Sequence, residues 1–290
     1  MSGNWGRWGS SDEIGALNLV GPDEVRRAAS LVREGTVVAL AQPSGAEGAV
    51  PPHRGRGMRF MDRDAGDYAL GARVVGGFKF AEDTVMLSTH SGTHVDALSH
   101  VWSGDELFNG HPASTLRSTT GAARLGAETL RSIMTRGVLI DLVAARGEPL
   151  PASTRIGAEE LARGYASAGL VPEAGDALVV RTGWWESHRE SHADYFDNEP
   201  GLDESAAEWI AAADIAIVGV DNYAIEVQPS SEGTRFPVHL ALIHEHGVPF
   251  IENLELDGLV GRGVAEFCFV VAPVGFAGST AGQVTPLAIL

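Results

Sequence analysis

The chain has 290 residues, 21 Lys+Arg against 38 Asp+Glu, a formal net charge of −17 and one cysteine. One cysteine excludes a disulfide scaffold or a four-cysteine zinc finger, and the acidic balance weighs against nucleic acid or an anionic membrane as partner. A 44% hydrophobic content is too high for a disordered chain, which leaves a folded protein long enough to bury a core.

The N-terminus, Asn4-Trp5-Gly6-Arg7-Trp8, lacks the apolar core of a signal peptide. The expected location is therefore the cytoplasm. Pro22–Ala29 carries Pro and acids in its first turn, with Gly35 beyond its end, and reads as a capped helix. Val37–Leu40 reads as a strand. Ala41–Gly76 is rich in Gly, Pro, Arg and Asp (Pro51-Pro52-His53-Arg54-Gly55) and reads as a long loop, either a linker or a cover over a site.

Beyond it, strands and helices alternate. Gly137–Leu142 is an apolar run with an acid near its end, and Ala158–Ala168 is a helix leading to the strand Asp176–Arg181. Glu204–Ala213 is a helix before the strand Ile215–Asp221. Pro237–His246 is a helix stopped by Gly247, followed by the strand Pro249–Glu252. The longest apolar stretch, Phe267–Ala277, contains Pro273 and Gly275 and is far too short to span a bilayer; it reads as a buried strand, with Cys268 as packing. The alternation predicts one α/β domain over residues 1–290, with helices packed on a mixed sheet.

The chemistry concentrates in His90-Ser91-Gly92-Thr93-His94-Val95-Asp96-Ala97-Leu98-Ser99-His100, three histidines and an aspartate within eleven residues. Imidazole and carboxylate together suit a divalent ion such as zinc or manganese. On an extended segment His94 and Asp96 leave the same face, and Gly92 permits the turn that brings His90 round. Leu87, Val95 and Leu98 imply burial, and buried imidazoles beside a buried carboxylate are costly unless something pairs them. His239, on an apolar helix, and Glu252, at a strand end, form a second acid–histidine pair that by itself reads more readily as a satisfied core histidine and an ordinary strand-end acid than as a site. His244 and His246 read as helix C-terminal residues without a catalytic role. Trp5, Trp8, Phe78 or Phe80, Trp184 and Trp185 are candidates for either core packing or an apolar pocket.

The motif resembles the His-x-Gly-Thr-His-x-Asp-x-x-x-His signature of the cyclase family of metal-dependent hydrolases, which includes bacterial kynurenine formamidases, isatin hydrolases and polyketide cyclases. Asn4–Gly9, Asp12–Asn18, Gly219–Glu226 and Ile251–Leu254 are similar to further family blocks. The resemblance implies a swivelling β/β/α-type α/β fold, assembled as a homodimer or homotetramer. It implies that His90, His94 and Asp96 bind a first metal, and that Asp96 bridges to a second held by His239 and Glu252. His100 would be the general acid/base. Zinc or manganese, one or two ions per chain, is the implied cofactor. The implied activity is hydrolysis of an amide, imide or lactone C–N or C–O bond of a small cyclic or aromatic substrate, arylformamidase- or isatin hydrolase-like, with hydroxide generated from water at the metal. A polyketide-type cyclase and a non-catalytic metal-binding protein are the alternatives. Leu98 stands where kynurenine formamidases and isatin hydrolases carry Pro, which weighs against N-formylkynurenine as substrate. The sequence has no nucleotide-binding glycine loop and no nucleophile elbow.

Overall fold

In the computed structural model, which describes residues 3–43, 45, 49–192, 194–231 and 233–290, the apolar runs assemble into one nine-stranded sheet. Its strands are β1 (Val37–Ala39), β2 (His94–Asp96), β3 (Ile133–Asp141), β4 (Ala177–Arg181), β5 (Ile217–Val220), β6 (Phe250–Glu252), β7 (Glu266–Val271), β8 (Ala281–Gln283) and β9 (Leu287–Ile289). They lie in the order β1-β9-β7-β3-β4-β5-β6-β2-β8. The centre, β3 to β6, is parallel, and both flanks pair antiparallel. Parallel strands are covered on both faces, so their residues are apolar without interruption. Along β4, Leu178 and Val180 enter one core while Ala177 and Val179 enter another; along β5, Val218 and Val220 oppose Ile217 in the same way. The sheet thus separates two cores, and the fold is a mixed α/β domain with helices packed on a curled mixed sheet.

The helices Ala158–Ser167 and Glu204–Ala212 bring Leu161, Tyr165, Ala206 and Ile210 to the first core. The second of these is capped by Asp203, whose carboxylate accepts from the backbone N–H groups of Ser205 and Ala206. The acid expected near the end of the third strand has a similar task. Asp141 caps the short helix Leu142–Arg146 through Ala144 N at 2.8 Å.

Two expectations are corrected. The stretch Ala41–Gly76 is not simply a loop: Met58–Arg63 pairs antiparallel with Glu82–Met86, with a helical turn at Ala65–Ala69 between them. The pair forms an arm beside the main sheet. Alternating apolar residues would have signalled it, but Arg and Asp interrupt them; Ser44 and residues 46–48 lie outside the described residues. The apolar run Phe267–Ala277 leaves the sheet after Val271, because Pro273 offers no N–H to a ladder, and Val274 and Phe276 are exposed. Cys268 is buried in β7, where burial pushes its thiol up, as expected of a packing residue. Among the described residues no helix is long and apolar enough to cross a membrane.

Candidate metal centre

Strand β2 lies between β6 and β8, and its three residues are buried. His94 stands opposite Glu252 in the antiparallel register, so cross-strand geometry alone brings the two side chains together: His94 Nε2 lies 3.3 Å from Glu252 Oε2. Two residues on, Asp96 leaves the same face, its Oδ1 3.5 Å from His94 Nε2, while Val95 points into the opposite core. Gly92 has φ +59°, the left-handed turn that returns His90 to this face. His90 Nδ1 then lies 2.8 Å from Asp96 Oδ1. The unit Pro237 to Glu252 supplies the rest. Phe236, itself left-handed at φ +53°, turns the chain into the helical turn Pro237–His239, which runs on as a π-helix over Leu240–His246. His239 Nε2 comes within 3.4 Å of Glu252 Oε1 and 4.0 Å of Asp96 Oδ2. His100 Nε2 is 3.8 Å from Asp96 Oδ2, with its ring 24% exposed. The structure therefore gathers the five other residues singled out in the sequence, His90, His94, His100, His239 and Glu252, around one carboxylate, Asp96.

Outer partners fix which nitrogen each ring presents. His94 Nδ1 is 2.8 Å from the Gly92 carbonyl, which can only accept, so that nitrogen carries the proton and Nε2 faces the site with a lone pair. His239 Nδ1 donates to Glu226 Oε1 at 2.6 Å, again leaving Nε2 inward. His90 Nε2 meets Thr280 Oγ1 at 2.9 Å, leaving Nδ1 inward. Such outer hydrogen bonds are the usual means by which metal-ligating imidazoles are oriented. Among the described residues, His90 Nδ1, His94 Nε2 and both oxygens of Asp96 are buried without a hydrogen-bond partner. Four acceptors turned toward one another and buried are costly; a divalent cation among them removes the cost. Two overlapping ligand sets satisfy the geometry, His90 with His94 and Asp96, and Asp96 with His100 and His239. The donor set of imidazole nitrogens and carboxylate oxygens fits a divalent ion such as zinc or manganese.

The electrostatics of the site agree. Burial pushes the Asp96 carboxyl up, but His100, His90 and His94 outweigh it and hold it well below the usual carboxylate range. Burial lowers His239, yet Glu226 and Glu252 beside it carry the imidazole up to about 10. Protons and a cation thus compete for the same pocket of negative charge. His100 differs. Burial, helped by His90 and His239 and opposed by Asp96, pushes it down to about 3, so its ring is unprotonated through neutral pH.

Several contributors carried no role in the sequence. Glu226 is buried and accepts from the backbone N–H groups of Val238 and His239 as well as from the His239 ring. Asn253 accepts from Tyr195 OH at 2.8 Å, and its own amide donates to the Gly92 carbonyl at 3.2 Å, which holds the motif turn against β6. Glu199, buried and raised well above the ordinary range by that burial, accepts from the backbone N–H groups of Tyr223 and Ala224. The strand-end Asp221 binds Thr182 and Gly183 and is structural. His244 and His246 are structural as well, since the N-terminal block docks on their carbonyls through Trp5 Nε1 at 2.8 Å and Asn4 Nδ2 at 3.0 Å.

A cavity of about 770 Å³ opens onto His100, His239 and Glu252. Its aromatic wall is Phe196, Tyr223 and Phe236, not the residues considered from the sequence. Trp5 and Trp8 pack against the first core, Trp184 and Trp185 are buried beside Tyr195, and Phe78 and Phe80 stack on each other in the arm. Pro51–Arg54 form part of the cavity rim, so this part of the polar stretch is a cover and not a linker.

A family model described as "Putative cyclase" matches residues 27–227. A crystal structure of a novel cyclase superimposes with a TM-score of 0.93 at 32% identity, covering 99% of this chain and 97% of that one. Isatin hydrolase A from Labrenzia aggregata, bound to benzyl benzoate, shares the fold with a TM-score of 0.66 at 20% identity, over 90% of this chain and 94% of that one. A predicted metal-dependent hydrolase from Bacillus stearothermophilus shares it with a TM-score of 0.55 at 21% identity, over 87% and 97%. No curated protein matches.

Proposed function

The chain belongs to the cyclase family, and from that premise we propose that it is a metal-dependent hydrolase of the amidohydrolase type, cleaving an amide, imide or lactone bond of a small cyclic or aromatic substrate. The observation that carries the reading is the set of buried, unpartnered acceptors on His90, His94 and Asp96. His90, His94 and Asp96 would hold one divalent ion, zinc or manganese, and Asp96, His239 and Glu252 a second. When bound, such an ion polarises a carbonyl and lowers the pKa of water from 15.7 to roughly 7.

The chain's own residues do the rest. Phe196, Tyr223 and Phe236 offer flat apolar surface to a planar substrate, and Pro51 and Pro52 add to the apolar lining. His100 reaches the cavity with an unprotonated imidazole, placed to accept a proton from water at Nε2 and return it to the departing nitrogen or oxygen. Glu226 holds His239 in one tautomer throughout.

The test is a panel of aryl formamides, cyclic imides and lactones turned over in ¹⁸O-labelled water by the purified protein loaded with zinc or manganese. Hydrolysis predicts one labelled oxygen in the product carboxylate. Turnover without label would replace this reading by ring closure, and metal binding without turnover on any substrate by a binding role.

We also propose that the chain works as a homodimer or homotetramer joined through the arm. A lone two-stranded ribbon is marginal in water, and this one leaves Met58, Phe60, Met61, Val85 and Met86 exposed, with Leu70 at 92% and Phe78 at 69%. The double substitution Phe60→Ser, Phe78→Ser is expected to move the protein from an oligomer to a monomer in sedimentation velocity. A wild-type chain that sediments as a monomer at tens of micromolar would refute the assembly.

A further inference from the structure

The cavity carries two arginines that no step above requires. Arg54 lies half-buried on the rim. It donates to the His90 carbonyl, and its guanidinium sits 5.7 Å over the Tyr223 ring. Arg235, exposed at the mouth, immediately precedes Phe236. Neither has a carboxylate within ion-pair distance among the described residues. Acids outnumber bases 38 to 21 in this chain, so partners are not scarce. Two arginines that are buried use them: Arg136 pairs with Asp176 at 2.7 Å, and Arg181 with Asp141 at 2.9 Å and Glu186 at 2.6 Å. The acids that line the cavity are Glu252, turned to the metal site, and Asp197, exposed at the rim. A guanidinium held in place by a carbonyl and an aromatic face, with donors left over beside an apolar wall, is suited to a planar anion.

We propose that the substrate is an anion, an aromatic or similarly planar carboxylate, whose charged group is held by Arg54 and drawn in by Arg235 while its scissile carbonyl faces His100, His239 and Glu252. The proposal rests on the hydrolase reading for the position of the scissile bond, but anion recognition can be measured without turnover. The remaining Arg54 donors would engage both carboxylate oxygens, and the ring of the substrate would lie along Phe196, Tyr223 and Phe236.

The probes are 2-naphthoate and its neutral isostere 2-naphthamide, titrated calorimetrically into the full-length protein, metal-loaded and again in EDTA. The naphthoate is expected to bind about tenfold more tightly in both states, the size of a charge-assisted hydrogen bond in a partly hydrated site, and to weaken with salt. Arg54→Met should remove the preference while leaving the naphthamide affinity in place, Arg54→Lys should keep part of it, and Arg235→Met should reduce it by a smaller factor. A preference present only with metal bound would assign the carboxylate to the ion and overturn the proposal. So would equal affinities, or a preference unchanged in both methionine variants. If Arg54→Met fails to fold by circular dichroism, Arg235→Met and the salt dependence decide. Loss of all turnover in the hydrolysis panel with the preference intact would remove the hydrolase reading and leave the anion site standing.

Discussion

Asp96→Asn is expected to abolish stable metal binding while leaving the fold intact. The substitution is nearly isosteric, so the packing of β2 between β6 and β8 has no reason to change. Its chemistry changes completely. Asp96 is the residue common to both ligand sets, within 4.0 Å of a nitrogen on each of His90, His94, His100 and His239. An amide brings no negative charge, and its NH₂ group would point a donor at the place proposed for a cation. Metal per chain, measured by plasma mass spectrometry after dialysis, should fall to background, and hydrolysis with it. Glu226→Gln provides the graded comparison. It weakens the support of His239 without removing a ligand, so metal affinity should drop by roughly 10–100-fold, the range found for outer-shell partners. An Asp96→Asn protein that keeps the wild-type metal stoichiometry would refute the ligand assignment.

The part of the site that these variants probe was also the part most legible in the sequence, and the reason is local geometry. A two-residue spacing on a strand fixes a common face, which is why His94 and Asp96 could be paired without a structure. A glycine between two histidines marks a turn, and Gly92 is left-handed as the motif required. His239 and Glu252 are thirteen residues apart and meet only because a helix and a strand return to the same end of the sheet; their spacing carries no such signal, and the family resemblance supplied it.

Glu226 and Arg54 were out of reach. Each acts across tertiary contacts, Glu226 on a helix N-terminus eleven residues further on and Arg54 on a carbonyl in the motif turn. The aromatics were read as core or pocket, and of the two Trp5, Trp8, Trp184 and Trp185 took the core. Ring size predicts burial, not which ring of a cluster borders a cavity: Trp184 and Trp185 are buried in the cluster against which Phe196 and Tyr223 pack, and it is the latter two that line the cavity. Reading strands from continuous apolar runs worked for the central ones, because both of their faces are covered. In the arm it failed, since neither face of that ribbon is covered by its own chain.

His100→Ala is expected to lower turnover by about 10²–10⁴-fold with metal content unchanged, the loss associated with a general acid/base. Both halves of that statement carry weight, because the geometry admits a rival. With Asp96 and His239, His100 forms a ligand set of its own, and a residue that holds an ion would also abolish activity when truncated. Position separates the roles. His90, His94 and His239 are each held by an outer hydrogen bond at the ring nitrogen turned away from the site, whereas among the described residues the His100 ring has no such tie and instead borders the cavity. Its side chain is the most exposed of the four yet still largely enclosed, and burial, helped by His90 and His239, keeps it neutral, the state a base needs before it takes a proton. A ligand role predicts that His100→Ala loses metal in proportion to activity and that excess zinc or manganese restores turnover. An acid/base role predicts full metal occupancy, no rescue by metal, and a partial rescue by added imidazole that follows the unprotonated fraction of the rescuer. Metal analysis and rescue kinetics on the one variant therefore decide the assignment, and loss of the ion would move His100 from proton transfer to coordination.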